Sequence, residues 1–476
     1  MSAESKMDAL AKAQSALDQT APARKRLNAL FDADSFVELD GFSKNGGESA
    51  GVVTGYGAVD GSPVFAFAQD ITANSGAVGK AHAAKIKKLY DLAAKTGAPV
   101  VGIYDSNGAL LKEGNDALNA YGEMMLWQNN LSGVVPQVSV IAGTCAGCAA
   151  MIALSADFVV MSEKAELFMT APFTAKANGE DVPGAGTAEN AAKSGMAHIV
   201  AKDEEEAIAQ ARRILSLMPL NNLSAAPICE FAAPAQADAV LRAAAENIEN
   251  ADMKALAEMI VDKDSLLELH KDFAVGAVTG LATLGGCTVG VVVTTGEPIC
   301  GCCCAKISRL VSICDAFQVP VVTLVNTKGF KSSAKAELKG IVREAAKVAH
   351  VYAEATTPKV CVVMGQAYGP AYVAFAGRNA NSDITLAWPS AQISALAPET
   401  AVTLLYADQI TSENPRKAIE AKYKAEDASP FKAAADGYVE DVIDPASTRD
   451  VLITTLDMLA GKRVSKLPKK HGNMPL

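Results

Sequence analysis

The sequence predicts an α/β protein built from two similar domains in tandem, and three observations lead to this prediction. The chain has 476 residues, which is enough for two or three domains with sizeable cores. Segments with the pattern of buried strands alternate with helical segments, an order typical of α/β layering with crossover connections. The same order of segments occurs twice, so the chain carries an internal repeat.

The first copy of the repeat begins with a turn at Gly61 and a strand. A helix is expected at about 77–95, because its apolar residues fall at helical spacing and Gly97 follows as a stop signal. Two further strands and a loop of small residues complete this copy, at 99–104, 136–143 and 144–149.

The second copy keeps the register of the first. Pro320 follows Pro99 by 221 residues, and Gly369 follows Gly147 by 222. The expected strands are at 289–293, 320–325 and 358–365, the helix is at about 306–317, and the loop is at 366–371. The Ala- and Glu-rich stretch 204–252 contains three prolines and is the natural boundary, so we predict domains at 1–235 and 236–476.

Composition excludes several classes of protein. Hydrophobic residues make up 50% and charged residues 20%, which excludes general disorder. The net charge of −10 argues against a sequence-independent nucleic-acid binder, since such proteins need a basic face. The N-terminus has no apolar signal segment, and the apolar stretch 134–154 is broken by Pro136 and Gln137. We therefore expect a cytoplasmic protein without a membrane span.

Ten cysteines are present, and four of them cluster at 300, 302, 303 and 304. Without an export signal they are expected to be reduced. A metal site is not expected, because no second matching pair or histidine set accompanies the cluster. Adjacent cysteines in an extended strand would also point to opposite faces, so the sequence favours small buried hydrophobic side chains here.

The repeated loop is the candidate site. In each half a strand ends in Gly, and small residues lead into an Ala-rich, helical stretch. Free backbone N–H groups at such a helix start can receive a developing negative charge, and small side chains let a carbonyl oxygen approach. The alternative is a tight joint between strand and helix. No serine, Cys–His pair or carboxylate dyad accompanies the loops as an obvious nucleophile or base. His82 is expected to be packed, and His198 is undecided.

The order of short motifs resembles one family over about 24–476. The motifs are Arg24-Lys-Arg-Leu, Asp34-Ser-Phe-Val-Glu-Leu-Asp, Gly51-Val-Val-Thr-Gly-Tyr-Gly, Ala81-His-Ala-Ala-Lys-Ile, Glu113-Gly, Cys145-Ala-Gly, Ser194-Gly-Met-Ala-His, Cys314-Asp-Ala-Phe, Ala387-Trp-Pro and Lys470-His-Gly-Asn-Met-Pro-Leu. Together they resemble the biotin-dependent carboxyltransferases. That family includes the β subunits of propionyl-CoA and acetyl-CoA carboxylases and the carboxyltransferase subunits of methylmalonyl-CoA and glutaconyl-CoA decarboxylases.

The resemblance implies two crotonase-like (ClpP/crotonase) domains in tandem, each a spiral of ββα units. It implies a homo-oligomer, a hexamer or dimer, with active sites between subunits. The implied reaction moves a carboxyl group between N1 of biotin and the α-carbon of a short acyl-CoA, such as propionyl- or acetyl-CoA. Biotin would arrive on a separate carrier protein. The implied partners are that carrier and either a biotin carboxylase or a membrane decarboxylase subunit, with no nucleic acid.

The resemblance also implies roles for particular residues. In the first loop, the N–H groups of Gly147 and Cys148, beside Ala146, would stabilise the thioester enolate. In the second loop, Gly369 and Ala371 would polarise the biotin ureido oxygen. The neighbouring residues of the biotin pocket would be Tyr368, Pro370, Tyr372 and Val373. Arg24, Lys25 and Arg26 would bind CoA phosphates, although a solvated run of charge is an equally good interpretation.

The sequence also departs from the family pattern. Relatives have Gly where this chain has Cys148 and Pro370, and proline has no N–H to donate. The segments 106–110 and 326–330 differ as well, and Val373 stands where relatives often have Asp. Two alternatives therefore remain open: a biotin-independent crotonase-type acyl-CoA lyase, and a non-catalytic scaffold paralogue.

Overall fold

The computed structural model describes residues 5–475 except 18, 46, 181, 379 and 380. The chain divides into two compact units, one up to Ala225 and one from Ala226. The domain boundary expected from the sequence, between 235 and 236, lies ten residues later. The outer ends of the two predicted domains, 1–4 and 476, fall outside the described residues. The segment after Ala226 joins the second unit because Cys229 N–H donates to the carbonyl of Gly286 at 2.8 Å.

The first unit contains an eight-stranded sheet in the order β1-β4-β5-β6-β7-β8-β10, with β9 paired to β7. The pairs β1–β4 and β4–β5 are antiparallel and the others are parallel. A separate hairpin consists of β2 and β3. The strands are β1 (Val37–Leu39), β2 (Lys44–Asn45), β3 (Glu48–Ser49), β4 (Val52–Val59), β5 (Ser62–Gln69), β6 (Val100–Ser106), β7 (Gln137–Ala146), β8 (Phe158–Ser162), β9 (Glu166–Phe168) and β10 (Ile199–Ala201).

Helices connect these strands. They are α1 (Lys6–Ser15), α2 (Pro22–Leu30), α3 (Lys80–Thr96), α4 (Asn115–Asn130), α5 (Cys148–Leu154), α6 (Pro172–Ala177), α7 (Ala188–Ser194) and α8 (Glu204–Leu217). The long helix predicted at 77–95 is confirmed as α3. Gly97 ends it with a φ of 66°, a left-handed conformation that glycine adopts without a steric penalty.

The second unit repeats the arrangement. Its sheet has the order β11-β12-β13-β14-β15-β16-β18, with β17 paired to β15. The strands are β11 (Leu267–Leu269), β12 (Ala277–Leu284), β13 (Cys287–Thr294), β14 (Val321–Thr327), β15 (Lys359–Tyr368), β16 (Ile384–Ala387), β17 (Gln392–Ser394) and β18 (Asp441–Val442). The helices are α9 (Ala237–Ala245), α10 (Met253–Ile260), α11 (Gly301–Ala316), α12 (Ala334–Leu338), α13 (Ile341–Glu354), α14 (Pro370–Phe375), α15 (Pro398–Leu405), α16 (Arg416–Glu426), α17 (Pro430–Ala435) and α18 (Thr448–Leu459).

The internal repeat and the α/β class are thus confirmed. Strands β7 and β15 run longer than predicted, and each ends one residue before the glycine of the candidate loop. The loops are consequently shorter than expected, since a helix begins directly after that glycine. The candidate site in each unit is a single glycine joining a parallel strand to a short helix.

The cysteine cluster lies in a helix, which corrects the expectation of an extended segment. Helix α11 begins at Gly301, about five residues earlier than predicted, and Cys300 is its N-cap. Cys300 N-caps the helix because its sulfur accepts a hydrogen bond from the Cys303 N–H at 3.4 Å. Cys303 and Cys304 are buried, whereas Cys302 is exposed. No group of three or more metal-ligating side chains occurs in the described part of the chain.

Each unit has its own core of small aliphatic side chains with a few aromatic ones. In the first, Phe67 packs edge-on against Tyr90 and Tyr104. In the second, valines from β13, β14 and β15 surround the fully buried Trp388, whose indole N–H donates to the Thr448 hydroxyl at 2.9 Å. Among the helices of the described residues, none is long and apolar enough to cross a membrane.

Candidate active site

The first loop turns on Gly147. Its φ of 57° and ψ of −123° lie in a region that side-chain-bearing residues rarely adopt, so glycine is required for the turn. The Gly147 N–H donates to the carbonyl of Phe168 in β9 at 2.9 Å. That hydrogen bond fixes the end of β7 against the neighbouring strand.

The free donors of the first loop begin at Cys148. Its N–H and those of Ala149 and Ala150 occupy the first turn of α5 and have no hydrogen-bond partner among the described residues. The first hydrogen bond of the helix is from Met151 N–H to the Gly147 carbonyl. Cys148 is half-buried and the two alanines are buried, so Cys148 is the most exposed of the three residues that carry a free N–H.

The second loop reproduces this geometry at Gly369. Its φ and ψ are 49° and −123°, and its N–H donates to the Ser394 carbonyl of β17 at 2.9 Å. Pro370 then stands where Cys148 stands in the first loop, and it has no N–H. The N–H groups of Ala371 and Tyr372 have no partner within the described chain. The second loop therefore lacks a donor at the position that Cys148 occupies in the first.

These contacts revise the donors expected from sequence. The Gly147 and Gly369 N–H groups are each hydrogen-bonded to a neighbouring strand, so neither is free to bind a substrate oxygen in this conformation. Cys148 is left as the half-buried donor of the first loop. In the second loop, the free N–H groups are those of Ala371, which is fully buried, and Tyr372, which is half-buried.

The side chains beside the second loop are held by hydrogen bonds. The Tyr368 hydroxyl donates to the Gln392 side chain, and the Tyr372 hydroxyl donates to the Tyr438 carbonyl at 2.7 Å. Burial raises the pKa of both phenols above the usual range, so both stay protonated at neutral pH. Val373 is 55% exposed and presents an apolar surface next to Pro370.

Arg24 and Arg26 lie on α2, and both are buried in ion pairs. Arg24 contacts Glu38 through two hydrogen bonds. Arg26 donates to Asp105 at 2.8 Å and to Glu204 at 2.9 Å. Both guanidinium groups are thus paired with carboxylates of their own unit. From the sequence, the two arginines were expected to be available to bind CoA phosphates.

Behind the first loop lies a polar support that the sequence analysis missed. The carboxylate of Asp105, at the end of β6, accepts a hydrogen bond from Arg26. The Asp105 backbone N–H donates to the Gln69 side chain at 3.1 Å. A Cβ on Gly143 would overlap the Asp105 carboxylate. Close approach between β6 and β7 therefore depends on a glycine at position 143, four residues before Gly147.

The second unit has the matching support at Asn326. Its Oδ1 accepts from the Gln366 N–H at 3.0 Å, and its own N–H donates to the Thr294 hydroxyl at 2.7 Å. A Cβ on Gly365 would overlap the Asn326 side chain. Asn326 follows Asp105 by 221 residues, so the spacing of the repeat is the signal that could have found both.

The two histidines singled out from sequence have structural roles. His82 is buried, with Nδ1 3.1 Å from the Ala50 carbonyl and Nε2 3.4 Å from the Gln69 amide. Burial lowers the pKa of His82 to about 3, so the ring is neutral and packed. His198 Nδ1 accepts from the Val159 N–H at 3.1 Å.

Comparison with known proteins agrees with this geometry. The carboxyl transferase domain family matches residues 20–474. The methylmalonyl-CoA decarboxylase subunit alpha of Veillonella parvula is 40% identical over 95% of this chain and 93% of its own. The propionyl-CoA carboxylase beta chain of Saccharopolyspora erythraea is 38% identical over 95% of this chain and 90% of its own.

A solved structure extends the likeness to three dimensions. The chain is similar to a transcarboxylase 12S crystal structure, a hexamer assembly with methylmalonyl-coenzyme A and methylmalonic acid bound, with a TM-score of 0.94. Identity is 34%, and the match covers 100% of both chains. Fold and loops define a tandem crotonase-like carboxyltransferase. The chain belongs to the biotin-dependent carboxyl transferase family and is an enzyme of that class.

Proposed function

We propose that this carboxyltransferase moves a carboxyl group between biotin on a carrier protein and the α-carbon of a short acyl-CoA. The acyl pairs that we propose are propionyl-CoA with methylmalonyl-CoA and acetyl-CoA with malonyl-CoA. The observation that carries the proposal is the pair of glycine turns, at Gly147 and Gly369, whose backbone angles agree within about ten degrees. The names of the relatives, which act on propionyl-CoA and methylmalonyl-CoA, support the acyl chain length.

In the first unit, the proposed donor to the thioester oxygen is the Cys148 N–H. Removal of the α-proton or of the α-carboxyl group leaves negative charge on that oxygen, and a fixed N–H stabilises the charge more than it stabilises the ground state. Gly147 sets the direction of the donor, and Ala146 leaves room for the thioester because its side chain is a single methyl. The half-buried environment strengthens the hydrogen bond relative to water.

In the second unit, the proposed biotin-facing segment is 368–373. Two first-turn N–H groups without partners, on Ala371 and Tyr372, fit a urea oxygen, and the exposed Val373 and Pro370 fit its apolar ring. Biotin, when bound, supplies the transferable carboxyl group and the basic urea. Tyr368 and Tyr372 keep their rings in place through hydrogen bonds of their hydroxyl groups.

The proposed contact for CoA phosphates is on α2. Arg24 and Arg26 are neutralised by carboxylates, whereas Lys25 between them is exposed. We therefore propose Lys25 as the direct phosphate contact. Arg24 and Arg26 would act indirectly by holding α2 in place.

The proposed partners are a biotin carrier protein and either a biotin carboxylase or a membrane decarboxylase subunit. We also propose a homo-oligomer, hexameric or dimeric, whose sites are completed by a second subunit. The hexamer of transcarboxylase 12S supports the assembly. The cytoplasmic location expected from the sequence stays a prediction.

An assay with free biotin or a biotinylated carrier tests the proposal. Labelled carboxyl transfer between malonyl-CoA or methylmalonyl-CoA and biotin is the expected result. Turnover of the acyl-CoA without biotin would instead support a crotonase-type lyase, an alternative that Pro370 favours because it removes a donor from the second loop. Retained binding to an active carboxyltransferase without any turnover would support the scaffold.

A further inference from the structure

Cys300 and Cys303 face each other at the start of α11. Their sulfur atoms lie 3.2 Å apart, and the two residues are the N-cap and the third residue of the helix. Cys300 Sγ also accepts from the Cys303 N–H at 3.4 Å, and Cys303 Sγ lies 3.7 Å from the Ala274 carbonyl oxygen. Two thiols separated by two residues at a helix start form a dithiol that can close into a disulfide.

The two thiols differ in acidity. Partial burial opposes ionisation of Cys300, but hydrogen bonds from the Cys303 thiol and from backbone N–H groups outweigh it and lower the pKa of Cys300 below its ordinary value. Burial raises the pKa of Cys303 to about 12. Cys300 therefore ionises first, and Cys303 stays protonated beside it. This asymmetry is that of an attacking thiol and a resolving thiol.

A cavity of about 580 Å³ opens beside Cys300. Its basic residues are Lys331, Lys335 and Lys339, all of which are exposed. The one carboxylate of the lining, Glu344, is already paired with Arg343 and Lys347. The cavity therefore has a positive wall next to a half-buried thiol, which favours a reactant that carries negative charge.

We propose that Cys300 and Cys303 form a thiol–disulfide exchange site for a low-molecular-weight disulfide that carries carboxylate groups. The Cys300 thiolate attacks one sulfur of that disulfide, which forms a mixed disulfide and releases one small thiolate. The Cys303 thiol then loses its proton and attacks the Cys300 sulfur, which closes the protein disulfide and releases the second small thiolate. Two protein thiols are oxidised, and one small disulfide is reduced to two thiols.

Reaction of the reduced full-length chain with glutathione disulfide, followed by acid quenching, alkylation and peptide mass spectrometry, tests the site. The expected product is a Cys300–Cys303 disulfide in the wild type and in the matched control Cys302→Ser. Cys303→Ser should keep glutathione on Cys300, and Cys300→Ser should form neither adduct. Glutathione on Cys302, with Cys300 unmodified, would overturn the proposal.

A measurement on the unaltered chain avoids any effect of substitution on folding. Cys300 should alkylate about tenfold faster at neutral pH than the exposed Cys287, whose pKa is raised by burial and nearby carboxylates. Equal rates for the two cysteines would contradict the assignment of Cys300 as the attacking thiol.

The lysine wall has its own test. The double variant Lys335→Gln, Lys339→Gln should react with glutathione disulfide about tenfold more slowly, because the charge that attracts the carboxylates is reduced. Its reaction with the neutral bis(2-hydroxyethyl) disulfide should be unchanged. Unchanged rates with glutathione disulfide would overturn the selectivity for anionic disulfides.

Discussion

Asn326 holds in the second unit the place that Asp105 holds in the first, and each lies against a glycine of the next strand. Asp105 is charged and Asn326 is neutral, and the reason lies in the helix that contacts each of them, α2 in the first unit and α10 in the second. Arg26 of α2 pairs with Asp105, whereas α10 has Leu256 at the equivalent position, 230 residues later. Lys254–Glu268 repeats the pair Arg24–Glu38 at the same spacing, which supports this alignment.

The first prediction concerns Asn326→Asp. The new carboxylate would be buried without a guanidinium partner, so we expect a loss of about 3 kcal/mol in unfolding free energy at pH 7. Burial raises the pKa of such a carboxyl group, so the loss should shrink as the pH falls and the group is protonated. Urea unfolding at pH 7 and pH 5 measures both effects. The same loss at the two pH values would contradict the explanation.

The second prediction concerns the glycines beside these side chains. Gly143→Ala and Gly365→Ala should each cost about 1–3 kcal/mol, because the added methyl overlaps Asp105 or Asn326. The matched control is Gly122→Ala in α4, where an added Cβ meets no atom within 4 Å. It should be neutral or stabilising, since alanine favours helix. Thermal unfolding compares the three, and equal stability for all would refute the close approach.

The third prediction separates strain from function at Gly147. A methyl group at position 147 would have space, but the backbone angles of Gly147 disfavour alanine. Gly147→Ala should therefore shift the backbone, turn the Cys148 N–H away and reduce carboxyl transfer strongly. Gly114 has nearly the same angles, φ 54° and ψ −124°, and also precedes a helix. Gly114→Ala should show a similar loss of stability with carboxyl transfer retained. Equal losses of transfer in both variants would remove the special role of Gly147.

The fourth prediction exchanges the two loop positions. Cys148→Pro should lower the rate of carboxyl transfer by about 10² to 10³, because it removes one N–H donor. Cys148→Gly keeps the N–H and should retain most of the rate. Proline is tolerated at the first position of a helix, so the loss should not be one of folding.

The reciprocal change, Pro370→Gly, restores a donor to the second loop and should raise the biotin-dependent rate. Steady-state kinetics with free biotin measures all three variants. An unchanged rate for Pro370→Gly would mean that the proline does not weaken the biotin side.

The fifth prediction uses the buried Lys306. Its ammonium group donates to the carbonyls of His270 and Phe273 at 2.8 and 2.9 Å, yet burial lowers the pKa of Lys306 to about 8. The unfolded chain therefore binds more protons than the folded chain between pH 8 and the ordinary lysine pKa of about 10.5, so stability should rise with pH in this window. Relative to Lys306→Met, the wild type should gain stability from pH 7.5 to 9.5. A constant difference would contradict the shifted pKa.

Much of the fold could be predicted because it depends on local patterns. The spacing of Pro99 and Pro320 was enough to find the repeat, and Gly97 marked the end of α3 because only glycine readily adopts that angle. The start of α11 was missed because its first turn is rich in cysteines, which are poor helix signals. The cap is a hydrogen bond from the Cys303 N–H to the Cys300 sulfur, which only the folded chain shows.

The glycine turns of the two candidate loops were predictable in position, but their hydrogen bonds were not. Gly147 and Gly369 were found as turns, yet their N–H groups pair with β9 and β17, and that pairing joins residues more than twenty positions apart. The ion pair of Arg26 with Asp105 joins residues 79 positions apart, so no local pattern announces it. Contacts of this kind follow from the assembled sheet.

The hydrogen bonds from Gly147 to Phe168 and from Gly369 to Ser394 anchor each turn entirely within its own unit. A graft of 146–150 in place of 368–372 would therefore keep the backbone conformation of the turn. The Ser394 carbonyl would accept the hydrogen bond from the grafted glycine. Such a chimaera would have nearly the same turn in both halves, and the residues around the second turn would determine what that turn binds.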